Sequence, residues 1–369
     1  MTLRHAFLFF GFLIILAIPT VDQLTGFSER LAVSSEKRQL ASLPAFDFPH
    51  FERFVDEFDS YYQDNFGMRN VLFAGYSNMK YHGLGVSPLP HKVLVGKDNW
   101  LFGGNDLNGV VRETMGLDTF STAQLERVAQ RIQDTRTRLR QQGTSYYLMV
   151  VPNKHSVYPE FLPDYVTNDA GVTKLDQVKR YLKERIDLDI IDLRDIFGEA
   201  KEQFQIYYQT DSHWNYKGAF IGYLYLMQRL RLDYPQLQMM ALSDLEKVPL
   251  QRWGDLTQMI NMDFTETDTV LAIKETCAEM PKKLQVPQSF PLDPNLWEVR
   301  YQCNPGGRPL KLLVYRDSFS AILLHYLKKS FGESVYVWSV VENQQITSTE
   351  RPDIVIQAMG ERLLEFLAR

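Results

Sequence analysis

Cysteine is almost missing from this chain of 369 residues, which carries only Cys277 and Cys303. Two isolated cysteines with no histidine close in sequence argue against a metal centre. In an oxidising compartment the pair is expected to form one structural disulfide. Histidine is scarce too, with seven in all, and His5, His50, His82 and His91 fall in the first hundred residues. That leaves too few for a binuclear metallohydrolase, although Asp211-x-His213 with a later Gly254-Asp255 faintly resembles one. No metal and no cofactor are expected. A basic tract is also lacking: the net charge is -5 and the pI about 5.9, which excludes a nucleic-acid partner. Internal repeats and low-complexity segments are absent.

One long apolar run is present. Ala6 to Ile18 are thirteen apolar or glycine residues, preceded by Arg4 and followed by Pro19. A charged start and an apolar stretch of this length mark an export signal. No small-residue cleavage site follows, so an uncleaved anchor over residues 1–24 is expected, with Arg4 on the cytoplasmic side. The alternative is a cleaved signal that leaves a soluble protein. In either case the rest of the chain is exported. Hydrophobic residues at 45% and charged residues at 23% fit a globular protein with a sizeable core. The 13% aromatic content suits a sugar-binding groove or ordinary core packing.

Residues 25–100 read as a lead segment packed on a catalytic domain, with one amphipathic helix marked by Phe51, Phe54, Val55 and Phe58. A hairpin is expected around Lys97–Asn99. From Ser121, which forms a capping box with Gln124, helices alternate with short apolar strands to the end of the chain. The strands are "SYYLMVV", "LDIIDL", "LKLLVY", "SVYVWSV" and "DIVIQAM", and the last helix is "ERLLEFLA". This pattern predicts an α/β domain over residues 101–369 with a mostly parallel sheet covered on both faces. Residues 233–309 read as a large insertion.

Ligands of such sheets bind outside the carboxyl ends of the strands. Three stretches fall there: "VVPNKHSVYPE", "YYQTDSHWN" and "YRDSFS". Ser318 in the last stands at a strand-to-helix turn, where free N–H groups favour developing negative charge. It is either a helix cap, as Asp317 is too, or a nucleophile with its own N–H as oxyanion donor. A nucleophilic serine needs a histidine, and the histidine needs an acceptor. Asp211 and His213, one residue apart, project to the same side of an extended segment, and His155 is the rival base.

These stretches, with "WGDLT" and "RPDIVIQAMGERLLEF", occur in an order that resembles the alginate O-acetyltransferase family over about residues 50–369. "DNFGMRNVL" and "LVGKDNWLF" are similar to the family's lead segment. The resemblance implies a three-layer, flavodoxin-like SGNH-hydrolase domain in the bacterial periplasm, anchored in the inner membrane. It implies a triad of Ser318 as nucleophile, His213 as base and Asp211 as orienting acid. The Asp-His pair precedes the serine, so the motif order is circularly permuted. "YRDS" also replaces the usual Gly-Asp-Ser, which leaves Gly254 and Asn153 as candidates for the other oxyanion donors. The chain's length matches AlgJ-like members rather than those bearing a carbohydrate-binding module.

The implied reaction carries an acetyl group through an acetyl-serine to hydroxyls of an exopolysaccharide, alginate or similar. Lys154, Tyr158, Trp214 and Arg316 are candidates for the acceptor groove. A membrane-bound O-acyltransferase is implied as acetyl donor, alongside other polysaccharide-export proteins. An acetylesterase with the same triad, or a non-catalytic polysaccharide-binding scaffold, are the alternatives.

Overall fold

The computed structural model describes residues 3–30, 40–46, 51–169, 171–262, 265–274, 277–303 and 309–369. His50 and parts of the expected lead segment and insertion lie outside them. In chain order the first elements are α1 (Leu3–Thr25), α2 (Phe51–Asn65), α3 (Arg69–Asn78), β1 (Val93–Val95) and β2 (Leu101–Gly103). There follow α4 (Val110–Thr114), α5 (Thr122–Gln141), β3 (Ser145–Val151), α6 (Lys154–Val157), α7 (Lys174–Ile186), β4 (Ile191–Asp192), α8 (Arg194–Lys201) and α9 (Tyr216–Asp233). The remainder are β5 (Leu245–Trp253), α10 (Asp255–Met259), β6 (Thr265–Ile273), β7 (Ala278–Glu279), β8 (Glu298–Gln302), β9 (Lys311–Arg316), α11 (Ser320–Leu327), β10 (Glu333–Trp338), α12 (Gln344–Glu350) and β11 (Ile354–Gly360). The chain divides into two compact units: residues 1–93 with 255–264, and residues 94–254 with 265–369.

In the first unit α1 is long and apolar enough to cross a membrane, and 6% of its most apolar window is buried. It runs through Pro19 rather than stopping there. Its last turn carries Asp22, a buried acid that accepts from Ser28 N, Ser28 Oγ and Met68 N. Gly67 is required where the chain passes Pro19, because a Cβ would lie 1.8 Å from the Pro19 carbonyl oxygen.

The second unit is a three-layer sandwich. Its sheet runs β4-β3-β11-β9-β10-β8-β7. The first five strands are mutually parallel, and β8 and β7 add antiparallel at one edge. Every residue of β11 is buried, as expected for a central strand covered on both faces. The period of two sorts the core. Leu312, Val314, Ile354 and Ile356 pack with Phe220 and Tyr223 of α9 and Leu323 of α11 on one face. Leu313, Tyr315, Val355 and Met359 pack with Val128 and Ile132 of α5 and Val178 of α7 on the other. Capping boxes at Ser121–Gln124 and Thr173–Asp176 start α5 and α7, satisfying N–H groups that would otherwise be orphaned.

Numbered from β9, the five parallel strands stand in the spatial order 2-1-3-4-5, the flavodoxin-like arrangement. The order reverses between β9 and β11, so the crevice for a ligand lies at their carboxyl ends.

The structure departs from the sequence reading at four places. Helix α12 stands between two strands expected to follow directly, because β10 and β11 both run parallel to β9 and need a crossover. Residues Glu361–Leu367 form a 3₁₀-helix rather than an α-helix. Strand β4 is two residues long. The insertion holds regular structure: the β5–β6 hairpin and the edge strands β7 and β8. A disulfide between Cys277 and Cys303 clasps the ends of those edge strands.

Candidate active site

Strand β9 ends at Arg316, and α11 begins at Ser320. Between them Asp317 shapes the turn. Its Oδ1 accepts from Phe319 N at 3.0 Å and its Oδ2 from Gly360 N at 2.7 Å, which fastens the turn to the end of β11. Asp317 is buried, and burial raises its pKa above the ordinary carboxylate value. A Cβ on Gly360 would meet the Phe319 ring at 3.0 Å, so a larger residue here would push on that ring. The Ser318 hydroxyl caps nothing, and α11 has no side-chain cap. Its Oγ lies 2.8 Å from His213 Nε2. The Ser318 N–H donates to no group among the described residues.

His213 arrives on the loop between α8 and α9. The loop folds back on itself: Tyr208 N donates to His213 O and Asn215 N to Ile206 O, with Tyr207 bridging Trp214. Asp211 Oδ1 accepts from His213 N at 2.9 Å and lies 2.7 Å from His213 Nδ1. With the proton on Nδ1, His213 Nε2 presents its lone pair to the Ser318 hydroxyl. The His213 side chain is 22% exposed and that of Asp211 2%, so the imidazole reaches solvent while the carboxylate does not. The Phe319 ring packs 4.8 Å from the imidazole. Asp211, His213 and Ser318 thus form one hydrogen-bonded line at the carboxyl edge of the sheet.

The family model described as an SGNH hydrolase-like domain, acetyltransferase AlgX, matches residues 93–285, just over half of the chain. The chain belongs to this family. The matched span holds Asp211 and His213 and ends before Ser318. A probable alginate O-acetylase AlgJ of Pseudomonas syringae pv. tomato is 27% identical over 177 residues, 46% of this chain and 42% of that protein. A probable alginate O-acetylase AlgJ of Pseudomonas fluorescens is 27% identical over 134 residues, 35% of this chain and 31% of that protein. The chain therefore spans less than half the length of these curated relatives. Among solved structures, Bacillus cereus PatB1 shares the fold at a TM-score of 0.54 and 18% identity, covering 74% of this chain and 96% of that one.

Within this AlgX-type domain, the residues expected to line an acceptor groove are buried instead. Lys154 is 2% exposed. Its ammonium donates to the carbonyls of Leu101, Gln209 and Asp211 and lies over the rings of Trp100 and Phe102. Tyr158 is buried, and its hydroxyl accepts from Ile206 N. Trp214 is fully buried and donates from Nε1 to the Phe319 carbonyl at 2.9 Å, tying the histidine loop to the serine turn. Arg316 is buried, stacks over Trp338 and donates to the Leu296 carbonyl. Burial pulls its pKa down to about 10 despite Asp317 nearby. These four side chains hold the site's walls together and offer no face to a polymer.

His155, the rival base, is buried with Nε2 on the Gly103 carbonyl, and burial drives its pKa down to about 3. It stays neutral and is occupied elsewhere. Asn153 spends its N–H on Glu361 and its Oδ1 on Arg362 N, while its Nδ2 donates to nothing among the described residues. Gly254 marks a close approach, since a Cβ there would lie 1.9 Å from the Thr210 carbonyl oxygen. The sequence reading missed Arg252, which donates from Nη2 to Asp211 Oδ2 at 2.7 Å.

Proposed function

We propose that this protein is an O-acetyltransferase that moves an acetyl group, through an acetyl-Ser318 intermediate, onto hydroxyls of a bacterial exopolysaccharide. The observation that carries the reading is the hydrogen-bonded line from Asp211 through His213 to Ser318. Family membership supports acetyl transfer, and the names of the two relatives point to alginate or a related polymer.

In the first step His213 Nε2 takes the Ser318 proton as Oγ attacks the acetyl carbonyl carbon. The carbonyl oxygen becomes an oxyanion, and the unspent Ser318 N–H is its first donor. The Asn153 Nδ2 amide is the candidate second donor, and Gly254 the third. The intermediate collapses, and His213 returns the proton to the departing oxygen of the donor. In the second step the acceptor hydroxyl gives its proton to His213 and attacks the acetyl-serine, and Ser318 leaves with that proton. Asp211 stabilises the imidazolium formed in each half without itself becoming protonated.

Helix α1 supports an exported domain held at the inner membrane, facing the periplasm. Acetyl-CoA is cytoplasmic, so the donor is a membrane-bound O-acyltransferase that presents acetyl groups on the outer face. The flavodoxin-like strand order counted from β9 supports a circularly permuted SGNH arrangement.

The test uses the full chain in detergent with a chromogenic acetyl ester and an oligosaccharide acceptor. Acetylated oligosaccharide is expected alongside slow acetate release. Acetate release with no acetylated acceptor, across alginate and neutral glucans, would make the protein an esterase.

A further inference from the structure

A cation stands on the far side of Asp211, where serine-histidine-acid chemistry does not require one. Arg252 Nη2 donates to Asp211 Oδ2, so the two carboxylate oxygens are divided between Arg252 and His213. The Arg252 guanidinium carbon sits 4.0 Å from the centre of the Tyr208 ring. Its side chain is 27% exposed, against 2% for Asp211.

Arg252 belongs to β5, which pairs antiparallel with β6 along its whole length, placing Arg252 opposite Glu266. Glu266 accepts from Gln209 N, Thr210 N and Thr210 Oγ1. The β5–β6 arm therefore holds the Gln209–Asp211 segment twice, once through an acid and once through a base.

We infer that Arg252 is a positioning residue that fixes the Asp211 carboxylate for His213 and weakens that carboxylate's hold on the imidazolium. The inference rests on the acetyl-transfer reading and deepens it. Geometry supports the first half: with Oδ2 pinned, the carboxylate cannot rotate away from Nδ1. Charge supports the second. A carboxylate stabilises imidazolium, and a guanidinium bound to the same carboxylate offsets part of that effect. The groups facing Arg252 are Asp211, Tyr208, Tyr216 and Glu266. Within the same compact unit those facing His213 include Asp211, Ser212, Ser318 and the more distant Asp317. The acids favour imidazolium, and Arg252 opposes part of that pull.

The experiment is the pH profile of kcat/KM for chromogenic-ester turnover by the full chain in detergent, comparing Arg252→Ala, Arg252→Gln and Arg252→Lys. Removing the charge raises the proton affinity of His213, so the acidic limb should move to higher pH by about one unit in the Ala and Gln variants. Loss of the clamp should lower kcat by roughly 10- to 100-fold, as misplacement of a catalytic group does. Arg252→Lys should restore the limb and only part of kcat, because an ammonium lacks the planar fork. A uniform loss of activity with an unmoved limb, or wild-type kcat and limb in a folded Arg252→Ala, would overturn the inference. If Arg252→Ala does not fold, the Gln and Lys variants carry the comparison. Ser318→Ala retaining full turnover would instead sink the acetyl-serine reading, whatever Arg252 does.

Discussion

Ser318 and His213 meet at 2.8 Å but reach that point by different routes. The serine turn grows from β9, a strand paired on both sides inside the sheet, and Asp317 fastens it to the end of β11. Its position follows from the backbone of the fold. The histidine loop belongs to no sheet of comparable size. Lys154 holds three of the nearby carbonyls, Glu266 holds two amides, Arg252 holds the acid, and Trp214 ties the loop to Phe319. The serine is placed by strands, and the histidine by buried charge and hydrogen bonds. A strand end tolerates loss of single side chains, whereas a loop held by a few buried polar groups does not.

The predictions run from the largest effect to the smallest. Ser318→Ala should cut ester turnover by about a thousandfold or more with an unchanged melting temperature, since the hydroxyl supports nothing except the chemistry. Equal activity in that variant would break the comparison at its stronger side. Lys154→Met should act on the base side through stability. It strands carbonyls in a buried site, at about 1–3 kcal/mol for each group left without a donor, and thermal unfolding should show a drop of several degrees together with reduced kcat. A melting temperature within a degree of wild type would show that the loop does not depend on that ammonium.

Trp214→Phe keeps the ring packing but loses the hydrogen bond to Phe319, worth about 1 kcal/mol. We expect kcat to fall roughly tenfold with KM little changed, because a slack link misplaces His213 relative to Ser318. An unchanged kcat would mean that packing alone sets the register between loop and turn.

The smallest effect lies outside the site. Glu113 is buried, and neither carboxylate oxygen has a hydrogen-bond partner among the described residues. Burial, with Glu361 nearby, raises its pKa to about 8. The unfolded chain releases this proton near the ordinary glutamate value, so stability declines as pH rises from about 4.5 towards 8. Glu113→Gln cannot ionise, and it should raise the melting temperature by a few degrees at pH 8 and little at pH 4. The same gain at both pH values would mean that the carboxyl is not the source.

The same contrast explains what the sequence could disclose. Strands β3, β9, β10 and β11 were legible as short apolar runs between amphipathic helices, and with them the three-layer fold and the strand-to-helix turn at Ser318. Asp211 and His213 stood out because an acid and a histidine one residue apart suit a base and its partner. Arg252 did not, because it lies 41 residues beyond Asp211 in an insertion whose hairpin has no strong apolar alternation. An alternating charged strand beside "WGD" was the only available hint. Lys154, Tyr158, Trp214 and Arg316 were misplaced for a related reason. Aromatic and basic side chains near a candidate site suggest a binding surface, and residue type alone does not show that each finds its partner in the interior. Helix α12 was missed because "NQQITSTE" is polar and short, and only the parallel pairing of β10 and β11 demands it.

The most direct test of the account is the acetyl-enzyme itself. Full-length protein in detergent, quenched with acid soon after mixing with the chromogenic acetyl ester, should gain the mass of one acetyl group. Peptide mapping should place that group on Ser318, with none in Ser318→Ala. Turnover of the ester with no acetylated Ser318 at any quench time, or with the acetyl group on another residue, would contradict it.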